Sequence, residues 1–322
     1  MIEYNDGVHL KDTGIWIDAT KKKNLSILSN PLSTGFLRHS KVITTPQTLK
    51  LLGKKLSSVS VLPCPYNHMF NLGNIDVELL PSGFILGSAQ VLIYTDNKKI
   101  LYTNDFNLDV LSTSDPIEIT QCDTLILKCA YGKKKYFFPS PEIAVNAIAD
   151  FIDDCFENDL VPVLLAEPLG NSQELVNLLG ERGYKVIVHD SIYKNLEIYR
   201  SLGINFTKYK RLKKDSDLDS KVLIIPPEQS KKDRFAKMEN AVFAGVSELA
   251  VEPEIVKSSL GVEHAYPFSI RAGYDEMLKL VELVRPKEVH LTGSTNVEFA
   301  ADLKKKGINA KALQDPQQLR LI

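Results

Sequence analysis

Cysteine and histidine are scarce in this sequence, and neither residue type forms a recognisable cluster. Four cysteines and six histidines occur among 322 residues. The cysteines show no C-x-x-C spacing, and the N-terminal residues do not resemble a secretion signal. We therefore expect a cytoplasmic protein whose thiols stay reduced.

Long apolar runs and a strong net charge are also lacking. The run at residues 161–166 is among the longest apolar ones. It is far shorter than the roughly 20 residues that cross a bilayer, so we expect no membrane partner. The net charge of −1 identifies no partner by itself. A nucleic-acid surface would have to be a local basic patch.

What the sequence does contain is a β-rich first part followed by alternating strands and helices. Short runs rich in Ile, Val and Leu predict strands at residues 14–18, 25–29, 41–44, 58–62, 75–80, 90–94, 100–103 and 124–128. Beyond Pro139, a helix capped by Ser140 with Pro141 in its first turn opens a series of strands (161–166, 185–189, 222–225, 240–243) and helices (172–180, 191–202). Such alternation predicts a parallel α/β sheet.

The loop at residues 80–90 has the glycine pattern of a catalytic loop. Gly83 and Gly87 require a bend or a close approach of the backbone. The residue at the centre of the bend is Phe84, which neither binds a metal nor transfers a proton. The loop therefore has the shape of an active-site loop without its chemistry.

Five blocks, in this order and spacing, resemble one known family. They are PSGFILGSAQ at residues 81–90, LYTNDF at 101–106, TLILKCAYG at 124–132, LGNSQEL at 169–175 and FSIRAGYDEML at 268–278. The sequence is similar to the metallo-β-lactamase fold with an inserted β-CASP domain, in the branch of RNA-processing and ligase-associated exonucleases. The resemblance implies an α/β protein, with an αββα sandwich at residues 1–139 and 266–322 and an inserted α/β domain at 140–265.

The same resemblance locates a metal site whose ligands are mostly replaced. Members that cut RNA or DNA hold two metal ions, usually zinc, between His and Asp side chains. Here the corresponding positions carry other residues, namely Asn30, Leu32, Thr34, Gly35, Phe84 and Gly293. Asp105 keeps the bridging carboxylate, and Asp18, which orients the histidines in the family, also remains. We therefore expect no metal, no cofactor and no catalytic residue.

Two positive charges stand at the remaining positions of this vestigial site. Lys128 replaces an acidic residue and Arg271 replaces a histidine of the family pattern. Either they neutralise Asp18 and Asp105 as internal ion pairs, or they bind a nucleic-acid phosphate without cleaving it. Both interpretations remain open at this point.

Further basic residues lie outside that site. Lys133, Lys134 and Lys135, followed by aromatic residues, are candidates for nucleic-acid contact. The basic runs at 208–214 and 231–234 could line a phosphate track, although three aspartates dilute the first run. Gln173 and Glu174 are expected to pack the inserted domain. The histidines nearest the blocks, His264 and His290, are expected to be packed side chains.

These features favour a catalytically inactive nuclease relative. Its expected role is that of a subunit, a regulator or a nucleic-acid-holding partner, bound to an active β-CASP paralogue or another nucleic-acid-processing complex. RNA and single-stranded DNA are both candidate ligands, and a homodimer is compatible with the sequence. The alternatives are an active hydrolase with a site rebuilt around Asp105, or a stand-alone protein that binds single-stranded nucleic acid.

Overall fold

The structure, a computed structural model, describes residues 2–11, 13–33, 35, 39–56, 58–95 and 98–313. Its strands are β1 (Ile2–Tyr4), β2 (Val8–Leu10), β3 (Ile15–Ile17), β4 (Leu25–Ile27), β5 (Lys41–Thr44), β6 (Ser60–Pro63), β7 (Phe70–Leu72), β8 (Ile75–Pro81), β9 (Ala89–Tyr94), β10 (Lys99–Thr103), β11 (Thr124–Lys128), β12 (Val161–Leu165), β13 (Val186–Val188), β14 (Tyr209–Arg211), β15 (Val222–Ile225), β16 (Ala241–Ser247), β17 (His264–Pro267), β18 (Glu288–Thr292) and β19 (Ala310–Ala312). Its α-helices are α1 (Pro46–Leu52), α2 (Pro141–Glu157), α3 (Asn171–Glu181), α4 (Asp190–Ser201), α5 (Asp233–Ala236), α6 (Pro253–Leu260), α7 (Tyr274–Val284) and α8 (Asn296–Lys305).

The chain divides into two compact units. The first unit comprises residues 1–110, 114–136 and 272–322, and the second comprises 111–113 and 137–271. The main divisions fall after residues 136 and 271, where the sequence predicted boundaries after residues 139 and 265.

The first unit is built from two sheets. One has the order β1-β2-β3-β4-β5-β6, and the other has the order β19-β18-β11-β10-β9-β8-β7. A shared apolar core joins Ile17 and Ile43 of the first sheet to Val77, Val91 and Tyr102 of the second. Alternating side chains point to opposite faces of a strand, so each sheet has a second face to cover.

Helices cover those outer faces. Leu28, which follows β4, and Val42 of β5 pack against Leu52 at the end of α1. On the other side, Leu125 and Leu127 of β11 share a core with α7 and α8. The layers of this unit therefore run helix, sheet, sheet, helix.

The second unit contains a six-stranded sheet of order β14-β13-β15-β12-β16-β17, in which every paired strand is parallel. The central strands β12, β13 and β15 are buried along their whole length, as expected when helices cover both faces of a parallel sheet. α2 begins after Ser140 with Pro141 in its first turn, as predicted. The predicted α/β class is confirmed. Over the described residues, no helix combines the length and apolar character that a membrane span requires.

Candidate functional site

Asp18 is the centre of a dense hydrogen-bond cluster in the first unit. It directly follows β3 and adopts a left-handed backbone with φ of 48°, a conformation that Asp tolerates better than most residues. Its Oδ1 accepts hydrogen bonds from the Ser29 backbone N–H at 2.9 Å and from the Ser33 hydroxyl at 2.7 Å. Its Oδ2 accepts from the Ser29 hydroxyl at 2.6 Å. Backbone and side-chain donors on the segment after β4 thus hold one side of the carboxylate.

The C-terminal end of β10 supplies two more donors to Asp18. The Tyr102 hydroxyl lies 2.8 Å and the Asn104 amide nitrogen 2.7 Å from Oδ2. Burial raises the pKa of Tyr102 well above its ordinary value, and the negative charge of Asp18 adds to this effect. The phenol therefore stays protonated and donates to the carboxylate. Five donors in all satisfy Asp18.

Asn104 links this cluster to Asp105. Its amide nitrogen also donates to the Ser29 hydroxyl at 2.9 Å, and its Oδ1 accepts from the Asp105 backbone N–H at 2.9 Å. Lys128 is the last residue of β11, and its ammonium lies 2.9 Å from the Asp105 carboxylate. The Asp105 side chain is 10% exposed and the Lys128 side chain 36%. The lysine therefore neutralises a largely buried carboxylate.

A small cavity of about 220 Å³ opens beside these groups. Asp18, Tyr102, Asn104 and Lys128 line it, together with Gly293, which follows β18. The structure thus brings several of the predicted site residues to one place. The lining residues Tyr102 and Asn104 were missed by sequence reasoning, although both belong to the LYTNDF block.

The remaining predicted positions in this unit are Asn30, Leu32, Thr34, Gly35, Phe84 and Gly293. Asn30 is buried and its Oδ1 accepts from the Leu32 backbone N–H at 2.9 Å, while Leu32 lines the cavity. Gly35 and Gly293 have positive φ values of 84° and 94°. Phe84 is 1% exposed and is not among the residues that line the cavity. Thr34 lies outside the described residues.

The donor set does not fit the two-metal centre of the family that the sequence resembles. The cavity offers one carboxylate, already bonded to five donors, and the neighbouring carboxylate is paired with an ammonium. Zinc in proteins requires several imidazole, thiolate or carboxylate ligands around one point. Within the described ranges, no group of three or more His, Cys, Asp or Glu side chains is arranged to hold a metal ion.

Arg271 belongs to the second unit and has a different carboxylate beside it. Its Nη1 lies 2.6 Å from Oε1 of Glu248, and both side chains are largely buried. Lys128 thus pairs with Asp105, as one of the two interpretations predicted, whereas Arg271 pairs with Glu248. Sequence reasoning missed Glu248, since it belongs to none of the recognised blocks.

The three candidate lysines after β11 lie on the surface of the first unit. Lys133 forms an ion pair of 2.7 Å with Glu298, and the Lys135 ammonium lies 5.1 Å from the centre of the Tyr136 ring. Lys134 is exposed. Their contact with nucleic acid stays a prediction.

The singled-out histidines and the Gln-Glu pair have packing partners. His290 Nε2 lies 3.1 Å from Glu288, and burial lowers the pKa of His290. The His264 ring packs on Phe151 in the second unit, with ring centroids 4.9 Å apart. Glu174, which is fully buried, accepts hydrogen bonds from the backbone N–H groups and hydroxyls of Ser112 and Thr113. Gln173 Oε1 accepts a hydrogen bond from the Gly170 backbone N–H at 2.6 Å.

Three curated proteins illustrate what the chain is similar to. A protein named "Probable DNA ligase" from Opitutus terrae is 27% identical over 99% of this chain, and the match covers 32% of that protein. An RNase J-like protein of Methanocaldococcus jannaschii is 31% identical over 33% of the chain and 26% of its own length. DNA ligase 6 of Arabidopsis thaliana is 21% identical over 78% of the chain and 20% of its own length. The chain thus spans about a third or less of each relative, and no protein-family model matches it.

Proposed function

We propose that this chain is a catalytically inactive relative of the β-CASP nucleases that holds nucleic acid as a subunit or regulator of a processing enzyme. The observation that carries the proposal is the Lys128–Asp105 ion pair beside Asp18. An ammonium occupies the neighbourhood in which the resembled nucleases hold divalent cations. The remaining carboxylates are thereby stabilised without a metal.

The chemistry of hydrolysis supports the same conclusion. Phosphodiester cleavage needs a group that activates water and a positive centre that stabilises the leaving oxygen. In this cavity the Lys128 ammonium is held by Asp105, and Asp18 accepts five hydrogen bonds. Both carboxylates are thus engaged by donors within the protein, which disfavours either one as a general base.

The names of the relatives support a role in nucleic-acid processing. Two are named as DNA ligases and one as RNase J-like. We therefore propose RNA or single-stranded DNA as the ligand class, and a DNA ligase or an active nuclease as the partner. A DNA ligase is the first partner to test, because the ligase-named match from Opitutus terrae covers nearly the whole chain.

A nuclease assay combined with metal analysis tests the absence of activity. Purified protein is incubated with end-labelled single-stranded RNA or DNA in manganese or zinc, and its metal content is measured by mass spectrometry. We expect no cleavage and no stoichiometric metal. The Asp105→Ala variant serves as the control for contaminating nucleases. Stoichiometric metal together with cleavage that disappears in Asp105→Ala would establish the rebuilt hydrolase instead.

A ligation assay tests the partner role. A DNA ligase from the same organism seals nicked DNA that carries single-stranded tails, with and without added chain. We expect the chain to lower the apparent KM for nicked DNA and to leave kcat unchanged, because a holding subunit raises the local substrate concentration. If the KM stays the same and the two proteins fail to co-purify, the ligase partnership is wrong.

A further inference from the structure

A second cavity, of about 880 Å³, lies entirely within the second unit. Residues of α4, of the segment after it and of β14 line this cleft. Its volume falls within the roughly 300–1,000 Å³ of typical ligand sites. β14 stands at the end of the sheet order and pairs with β13 alone among the described strands, so the cleft opens at a sheet edge.

One wall of the cleft is aromatic. Tyr193, Phe206 and Tyr209 all line it and are half-buried. The ring centroids of Tyr193 and Tyr209, and those of Phe206 and Tyr209, are each 6.0 Å apart. The Tyr209 hydroxyl donates to Glu197 at 2.7 Å, which fixes the orientation of this ring. The wall therefore offers ordered, partly exposed ring surface for stacking.

The rest of the lining is strongly basic. Six cationic side chains line the cleft, against one carboxylate, that of Asp217. The cationic residues are Arg200, Lys208, Lys210, Arg211, Lys213 and Lys221.

Part of this charge is compensated. Arg200 pairs with Glu197, Arg211 with Asp190, and Lys221 with Asp217. The Lys208 ammonium lies 3.4 Å from a backbone carbonyl oxygen. No carboxylate of the described residues forms an ion pair with Lys210 or Lys213, and both side chains are exposed. Together with Lys208, whose charge a backbone carbonyl does not neutralise, these two lysines are the cations of the cleft without a carboxylate partner among the described residues.

Strand geometry brings the two kinds of surface together. Side chains alternate along a strand, so Lys210 projects from the face of β14 opposite to Tyr209. Both residues nevertheless line the cleft, because β14 is the edge strand around which the cleft extends. A flexible ligand lying across this edge would meet a lysine and an aromatic ring together.

We infer that this cleft binds single-stranded nucleic acid, with backbone phosphates at Lys210 and Lys213 and a base against the wall of Tyr193, Phe206 and Tyr209. Alternating phosphates and stackable rings match a single strand, whose bases are free to leave their own stack. A duplex keeps its bases paired and would leave the aromatic wall unused. The inference rests on the proposed function and names the surface that would hold the nucleic acid.

Fluorescence anisotropy of the full chain with a labelled oligonucleotide of about twelve deoxythymidines tests this inference. The variant is the double charge reversal Lys210→Glu with Lys213→Glu. Its affinity should fall at least about tenfold at low salt, and the slope of log Kd against log salt should shrink by about 1.4, because each phosphate contact on a single strand contributes about 0.7. Far-UV circular dichroism confirms that the variant folds.

The matched control is Lys22→Glu with Lys41→Glu. Both lysines are exposed, lie in the first unit and belong neither to the cleft lining nor to the basic runs at 208–214 and 231–234, and the change in net charge is identical. The control should lose less than about threefold in affinity, since exposed charges outside the binding site are largely screened by salt. If both variants bind equally well, the cleft assignment is wrong while the nucleic-acid-holding role stands. If the unaltered chain does not bind at low salt, both the cleft assignment and the holding role are refuted.

Two further measurements define the ligand. Tyr193→Leu should restore the fluorescence of a 2-aminopurine base in the bound oligonucleotide, because loss of the ring removes stacking. Equal competition by a hairpin duplex or by free thymidine monophosphate would overturn the single-strand assignment.

Discussion

The Lys128→Met variant removes the charge that compensates Asp105 and keeps much of the side-chain volume. The ion pair spans 2.9 Å, and the carboxylate is only 10% exposed. Breaking a fully buried pair costs about 3–5 kcal/mol, whereas surface pairs contribute about 0–1 kcal/mol. The lysine side chain is 36% exposed, so we place the cost between these limits. The free energy of unfolding should fall by about 2 kcal/mol.

The fluorescence of Trp16 during urea denaturation is the appropriate measurement. Trp16 is the sole tryptophan of the chain and lies on β3, in the same unit as Lys128. Its ring is stacked on His9 with centroids 4.1 Å apart, and the Lys23 ammonium lies 3.2 Å from the ring centre. Unfolding of the first unit disrupts these contacts and changes the signal. A loss of about 2 kcal/mol moves the urea midpoint by about 1 M.

A double-mutant cycle separates the ion pair from other effects of the substitution. Asp105→Asn in the Lys128→Met background removes the uncompensated charge, so the double variant should be more stable than additivity predicts by at least about 1 kcal/mol. Lys133→Met is the matched control, because its pair with Glu298 is exposed and should contribute about 0.5 kcal/mol or less. Strict additivity, or equal costs for Lys128→Met and Lys133→Met, would refute the compensating role of Lys128.

Three other predictions concern groups whose surroundings are equally well defined. Gly293→Ala should destabilise the first unit by about 2–4 kcal/mol in urea titrations, because a Cβ there would lie 2.7 Å from the Cys129 carbonyl oxygen at a φ of 94°. Gly307→Ala, at a φ of 79° with no atom within 4 Å, should cost only about 1 kcal/mol, and equal costs would contradict the steric argument. Burial lowers the pKa of His39 in the folded state, so below about pH 6.5 the unfolded chain binds more protons and stability falls. His39→Gln should reduce the stability difference between about pH 7.5 and about pH 5.5, and an unchanged difference would exclude His39 as its source. Glu174→Ala should destabilise the second unit by about 3 kcal/mol in thermal circular dichroism, because it leaves four buried or partly buried donors of Ser112 and Thr113 without their acceptor. A cost below about 1 kcal/mol would refute this.

The parts of the fold that sequence reasoning predicted are those with strong local signals. α2 has an N-cap serine, a proline in its first turn and an apolar face, and the structure places it as expected. Strands β1, β2, β7, β14 and β17 were missed. Each has only three or four residues, so pairing with a neighbouring strand decides its conformation rather than its own pattern.

In the candidate site, too, the residues with strong local sequence signals were predicted and those without such signals were missed. Asp105 and Lys128 lie in blocks with recognisable patterns, and the structure shows them paired. The partners of Asp18 are mostly hydroxyl and amide groups, which occur too widely to mark a site by spacing alone. Glu248 meets Arg271 only because the fold joins residues 23 positions apart. No pattern in the sequence specifies that pair.

The charge around the two cavities decides which one suits a phosphate. In the small cavity, an approaching phosphate would meet the carboxylate of Asp18, and the nearest cation is already neutralised by Asp105. In the cleft of the second unit, three lysines, Lys208, Lys210 and Lys213, remain after the compensated pairs are removed. Like charges repel and opposite charges attract over several ångströms, so phosphate is favoured in the cleft and disfavoured in the cavity. Lys128→Met should therefore leave oligonucleotide affinity unchanged, whereas the reversal of Lys210 and Lys213 lowers it. An equal loss in both variants would mean that the vestigial site still binds the nucleic-acid backbone.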